Sequence, residues 1–285
     1  MTGNSAGFEE KHFLCGDGLS LYYRDYGIPS HTKLAILCLP DLTRNSKDFH
    51  GLAHRFSKER RVLCPDYRGR GRSAYDPDWK RYHPRTYVDD IRHLLIAAGA
   101  HEVIVIGTSL GGILAAALSV VLPSGLRGVV LNDVGPDVDR DGLEQILTYL
   151  RDAKPLPDWE AAAAHLKATF PHMPARNPLQ WRMIAESTYV QGEDGLLRFD
   201  WDPKLVKPFD DTGAEPIDLW PLFRALRNIP VLTVRGGVST ILSAETLEKM
   251  HDALPGMRSV TVPDIGHAPN LSEPEVLEAI DELIG

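Results

Sequence analysis

The stretch GTSLGG, Gly107 to Gly112, places a serine between glycines at the spacing G-x-S-x-G. The β-branched run VIVI precedes it and the alanine-rich run ILAAAL follows. That order predicts a buried strand, a sharp turn and a helix, with Ser109 on the turn as a nucleophile. Glycines permit the strained backbone that lifts a hydroxyl above the sheet edge. The backbone N–H of Leu110, at the helix start, then points where an oxyanion would form. The competing interpretation is a tight turn with an incidental serine, and the strand–turn–helix context argues against it.

A hydroxyl nucleophile needs a base. The chain holds eleven histidines, so position has to choose among them. His267 lies in PDIGHAPN, directly after the apolar run SVTV and before a final helical stretch. That places it on a loop at the same sheet edge as Ser109, although an ordinary surface histidine would read the same way. The third member of such a set, an acid, is harder to find. The loop VRGGVSTILS, 234–243, follows an apolar strand and carries no carboxylate.

The elements that must hold these residues alternate along the chain. KLAILCL, RVLC, VIVIG, GVVLN, PVLTV and SVTV are short apolar runs rich in Val and Ile, as expected of strands buried on both faces of a parallel sheet. LSLYYRDYG alternates, which predicts a strand with one exposed face. Helical stretches fall at Ser46–Ser57, Tyr87–Ala98, Leu110–Val121, Ser243–Leu254 and Glu273–Ile284, with Ser272 and Glu275 read as a capping box for the last. This predicts a doubly wound α/β sheet covered by helices. The alternation stops between Gly135 and about Asp218, where three helices and no convincing strand are expected. The chain therefore divides into a core, 1–134 and 219–285, and a helical insertion, 135–218.

Composition narrows the classes. With 285 residues, 43% apolar and 25% charged, the chain reads as an ordinary soluble globular protein. A net charge of −8 argues against nucleic acid or anionic membrane as a partner. Cys15, Cys38 and Cys64 are too few and odd for a disulfide framework, and MTGNSAGFEEKHF lacks a signal-peptide pattern, so a cytoplasmic location is expected. Val103 to Leu126 has no charge, yet its glycines and its change from β-branched to alanine-rich composition suit a buried strand and helix better than a membrane span.

Taken together, LCLPDLTRN, CPDYRGRGRS, GTSLGG, LNDVGP, VRGGVSTILS and GHAPNLSEP, each after a successive strand from the third to the eighth, resemble the α/β-hydrolase superfamily. The resemblance covers nearly the whole chain and is closest to its capped bacterial hydrolase/acyltransferase group, whose cap follows the sixth strand. It implies an eight-stranded, mostly parallel sheet with Ser109 as nucleophile, His267 as base, and an oxyanion hole from the N–H groups of Leu110 and Leu42. It also implies no metal and no cofactor. Two departures stand out. Where this superfamily usually reads His-Gly or Pro-Gly, this chain reads Pro40-Asp41, and a carboxylate aimed at an oxyanion would oppose catalysis. The Asp41 side chain is therefore expected to face away from the hole. The acid usual at or beside Ser239–Thr240 is missing, and the resemblance offers Asp133, at the end of the sixth strand, as its replacement. Asp133 could instead cap the entrance to the insertion, Asp264 lies too close to His267 along the chain, and a hydroxyl at Ser239 or Thr240 remains the alternative.

Weaker signals have ordinary readings. YRGRGRS, 67–73, suits a structural loop with Asp66 and the arginines in local ion pairs better than nucleic-acid binding. His50 and His54 have metal-ligand spacing without a third ligand, and Cys64 reads as a buried, inert thiol. Trp159, Trp181, Trp201, Trp220, Phe170, Phe199 and Phe209 fall in or near the insertion, mostly as its own packing, with a substrate bearing an apolar part implied only weakly. The expected activity is hydrolysis of a carboxylic ester or lactone through an acyl-enzyme, since serine at the elbow suits acyl transfer. C–C hydrolysis of a diketone-type ring-cleavage product, a ligand-binding protein with little turnover, and a cofactor-free oxidase or peroxidase are the rivals.

Overall fold

The computed structural model describes residues 7–30, 32–210 and 217–285. The strands are β1 (Phe8–Leu14), β2 (Ser20–Tyr26), β3 (Ala35–Leu39), β4 (Val62–Pro65), β5 (Val103–Thr108), β6 (Leu126–Asn132), β7 (Tyr189–Gln191), β8 (Leu197–Phe199), β9 (Val231–Gly236) and β10 (Arg258–Val262). The α-helices are α1 (His50–Phe56), α2 (Pro84–Ala98), α3 (Leu110–Val121), α4 (Arg140–Arg151), α5 (Trp159–Thr169), α6 (Pro178–Thr188), α7 (Lys207–Asp210), α8 (Trp220–Arg224), α9 (Ala244–Ala253) and α10 (Pro274–Ile284). Eight strands form one sheet in the order β1-β2-β4-β3-β5-β6-β9-β10. From β4 to β10 all neighbours are parallel, and β1 and β2 are added antiparallel at one edge.

Period-two alternation explains why the strand sequences are apolar throughout. Ile36, Cys38, Val62, Cys64, Ile106, Val130 and Leu232 face one core, completed by Leu52 of α1 and by Val276 and Ile280 of α10. Leu37, Leu39, Leu63, Val105, Val129 and Leu131 face the other, completed by α2, α3 and the insertion. Cys38 and Cys64 are fully buried, and burial, with the Cys38 neighbour second, pushes the Cys64 thiol well above its ordinary value. Val103 to Leu126 resolves into β5, α3 and the first residue of β6; among the described residues no helix is long and apolar enough to cross a membrane.

Several expectations are corrected. β1 (FEEKHFL) was hidden by its charges, which are common on an edge strand where they discourage edge-to-edge pairing. β2 has no exposed face, because Leu21 and Tyr23 on one side and Tyr22 and Tyr26 on the other are all buried. The capping box at α10 does not form: Pro274 occupies the first turn, the cap position falls on Glu273, and the Ser272 hydroxyl turns to Asn270 Oδ1 at 2.5 Å.

Between β6 and β9 the chain leaves the sheet for α4 to α8, where three helices were expected, and it also makes the hairpin β7–β8. Asp194-Gly195 supplies its turn, with Gly195 at φ 80°, a signal the sequence did contain. Residues 1–6 of the expected core and 211–216 of the expected insertion lie outside the described residues.

The insertion is tied to the core by backbone. Gly71 N–H donates to Asp200 O at 2.9 Å and Asp202 N–H to Gly69 O at 2.8 Å, zipping the end of β8 onto the YRGRGRS loop. This loop is structural, yet Asp66 pairs with no arginine: its carboxylate accepts the backbone N–H groups of Ser46 (2.7 Å) and Arg72 (2.9 Å). Arg68 instead is buried against Asp17, Asp76 and Asp90. Trp201, almost fully buried, stacks on Phe199 with centroids 4.0 Å apart, so these aromatics are indeed packing. Gly69 sits at φ 73°, and a Cβ there would lie 2.7 Å from the Tyr82 hydroxyl. Gly69→Ala is therefore expected to destabilise by about 1–3 kcal/mol through strain and overpacking, read as a lower urea midpoint at unchanged slope.

Candidate active site

β5 ends at Thr108 and α3 begins at Leu110, leaving Ser109 alone at φ 52°, ψ −115°. A non-glycine residue there is strained and has to be held by its surroundings. Ser109 N–H donates to Asn132 O at 2.9 Å, fastening the turn to the end of β6. A Cβ on Gly111 would lie 2.1 Å from Leu39 O, so only glycine lets α3 approach the end of β3 this closely. The side chain of Ser109 accordingly stands at the C-terminal edge of the sheet.

At the same edge, β6 runs straight into Asp133, another positive-φ residue (54°), whose N–H donates to Val234 O at 2.7 Å. Asp133 is completely buried, which requires that its oxygens find donors. They do. Oδ1 accepts Gly236 N–H at 2.8 Å, and Oδ2 accepts the Ser239 hydroxyl at 2.5 Å and His267 Nδ1–H at 2.6 Å. Donation from Nδ1 leaves Nε2 as the lone-pair nitrogen. Nε2 is buried and has no hydrogen-bond partner, Ser109 included, among the described residues. Burial on its own disfavours the imidazolium. The Asp133 carboxylate outweighs it, with a smaller contribution from Asp41, so the ring holds its proton above the ordinary histidine value of 6.5. The Asn132 amide donates to Thr108 Oγ1 (3.0 Å) and to Pro269 O (2.9 Å), bracing the serine turn against the histidine loop.

The loop after β3 is held from behind. Tyr67 OH donates to Pro40 O at 3.1 Å and Arg70 Nε donates to Leu42 O at 3.0 Å. Arg70 is fully buried among the rings of Tyr67, Tyr82 and Tyr87. The expectation that Asp41 faces away from the Leu42 N–H is overturned: Asp41 Oδ1 accepts that N–H. No cation draws it elsewhere, because Arg44 is occupied by Asp48, Ser187 and Thr188. Leu110 N–H opens α3, where first-turn donors have no partner in their own helix.

A family model described as "Alpha/beta hydrolase family" matches residues 36–280. The chain belongs to the α/β-hydrolase family. In this family its curated relatives include a 3-hydroxybutyrate-oligomer hydrolase of Cupriavidus necator, 35% identical over 260 residues and covering 88% of each chain. Another is a 2-(acetamidomethylene)succinate hydrolase of Mesorhizobium japonicum, 30% identical, with 85% of each chain covered. Among solved structures, an α/β hydrolase from Novosphingobium aromaticivorans is 42% identical, with a TM-score of 0.92 over 99% of each chain.

Within this α/β-hydrolase chain, His267 and Asp133 are hydrogen-bonded after β10 and β6, Ser109 stands on the turn after β5 with Leu110 opening α3, and Asp264 makes no hydrogen bond to His267 among the described residues. One participant, Asn132, was missed, and Ser239 was named only as an alternative to Asp133. Ser239 lacks a charge, yet its hydroxyl serves Asp133 and accepts Ile241 N–H at 3.0 Å; Thr240 is exposed. Asn132 had no motif to mark it. The ring of His267 provides the direct check. Its titration, followed by NMR of the ring proton, is expected to have a midpoint above 6.5, so the neutral ring predominates only above that midpoint. Asp133→Asn removes the stabilising charge and moves the midpoint down.

Proposed function

We propose that this protein is a serine hydrolase of carboxylic esters, working through an acyl-enzyme. The observation that carries this reading is the 2.6 Å bond from His267 Nδ1–H to the buried Asp133, which presents an unpartnered Nε2 at the edge where the strained Ser109 turn stands. In this mechanism Ser109 Oγ attacks the ester carbonyl carbon while His267 Nε2 takes its proton. The imidazolium forms against Asp133, and the oxyanion is held by the Leu110 N–H and, once released from Asp41, by that of Leu42. Collapse expels the alcohol, which receives the proton from His267. Water then repeats the sequence on the acyl group.

The relative from Cupriavidus necator supports an ester of a small hydroxy acid as the substrate class, since its name specifies 3-hydroxybutyrate oligomers. The helical insertion over the core acts as the cap that limits water.

A fluorophosphonate probe separates this reading from a binding protein without turnover. Labelling of Ser109 in native protein, abolished in Ser109→Ala, is expected; an unlabelled Ser109 would sink the proposal. Asp133→Asn should lower turnover by about 10⁴, as loss of the orienting acid does in other triads. Ser239→Ala should cost roughly tenfold, because Asp133 keeps its other two donors. Thr240→Ala should leave the rate near that of the wild type. Steady-state hydrolysis of a nitrophenyl ester measures all three.

A further inference from the structure

Asp41 puts a carboxylate in the loop that would supply half of an oxyanion hole. The backbone around it is fixed, since Tyr67 holds the carbonyl before it and Arg70 the carbonyl after it. The side chain is the part left free to turn. One oxygen accepts Leu42 N–H, and no cation pairs with the carboxylate among the described residues. The residue is partly exposed, so the carboxylate is not sealed inside the protein. Its negative charge adds, after that of Asp133, to the raised proton affinity of His267.

Two negative oxygens cannot share one N–H. A carbonyl entering the hole has to displace the Asp41 carboxylate, and the displaced group then needs a new donor. A plain acyl chain has none. An acyl chain with a hydroxyl one or two carbons from the carbonyl brings a donor to the same place. Arg44, whose charge interacts with Asp41, disfavours an ammonium there and so favours a neutral donor.

We propose that Asp41 is a specificity-determining residue, a latch on the Leu42 N–H that acyl groups bearing a nearby hydroxyl release. The proposal rests on Ser109 being the nucleophile. It makes the unusual Pro40-Asp41 pair a filter for hydroxyacyl esters rather than a defect in the hole.

The test compares nitrophenyl butyrate with nitrophenyl 3-hydroxybutyrate on wild type, Asp41→Gly and Asp41→Asn, with inactivation rates by a fluorophosphonate that carries no hydroxyl. Wild type should favour the hydroxy ester in kcat/KM by about tenfold, the scale of one charge-assisted hydrogen bond. Asp41→Gly should raise both the butyrate rate and the labelling rate by about tenfold and bring the ester ratio near one. Asp41→Asn keeps the shape and loses the charge, so it should move the same way by less, and it carries the test if the glycine variant is poorly folded. Equal labelling rates with an unchanged ester ratio in both variants would overturn the latch while leaving the nucleophile intact. Absence of labelling in all three proteins would overturn the nucleophile and the latch together.

Discussion

The site depends on one buried carboxylate. Asp133 has no access to water, and a charge in that position is tolerable only while several donors converge on it. Those donors come from two separate stretches: the end of β9 and the loop after it, with the Gly236 N–H and the Ser239 hydroxyl, and the loop after β10, with the His267 ring. Satisfying Asp133 therefore forces the loops after β6, β9 and β10 to one point. The same bonds fix which ring nitrogen of His267 carries the proton. Orientation of the histidine and solvation of the acid are one structural requirement met once.

The empty-looking loop after β9 makes sense in this setting. With the carboxylate supplied by β6, the neighbouring loop needs to solvate an anion rather than contribute one. A hydroxyl and a backbone N–H do so, where a second acid would repel the first. Adjacency of β6 and β9 in the sheet is what allows the exchange, since their ends lie side by side in register, Asn132 against Val234.

Much of this was legible in the sequence, and the reasons differ by element. Parallel strands buried on both faces announce themselves as apolar runs, and the serine turn by its glycines, because both follow from packing along a few consecutive residues. The pairing of Asp133 with His267 spans 134 residues of chain and was reachable only through the strand order that the family resemblance implied. β1 and Asn132 escaped, and Ser239 was named as a rival to Asp133 rather than as its partner. A charged edge strand lacks the usual signal, and polar residues whose task is to satisfy another side chain carry no local pattern. Asp41 departs from the expectation because an oxyanion would repel the carboxylate only once formed, while the resting protein offers it a nearer donor, the next N–H along the chain.

Gly266 N–H donates to His172 O at 2.8 Å, which fastens the insertion to the residue just before His267. The insertion is also zipped to the core at Gly69 and Gly71. Two anchors on different loops leave it no single hinge about which to swing as a lid. Displacement of this segment at His172 bears directly on the peptide beside His267, so its placement and the alignment of that ring are mechanically joined.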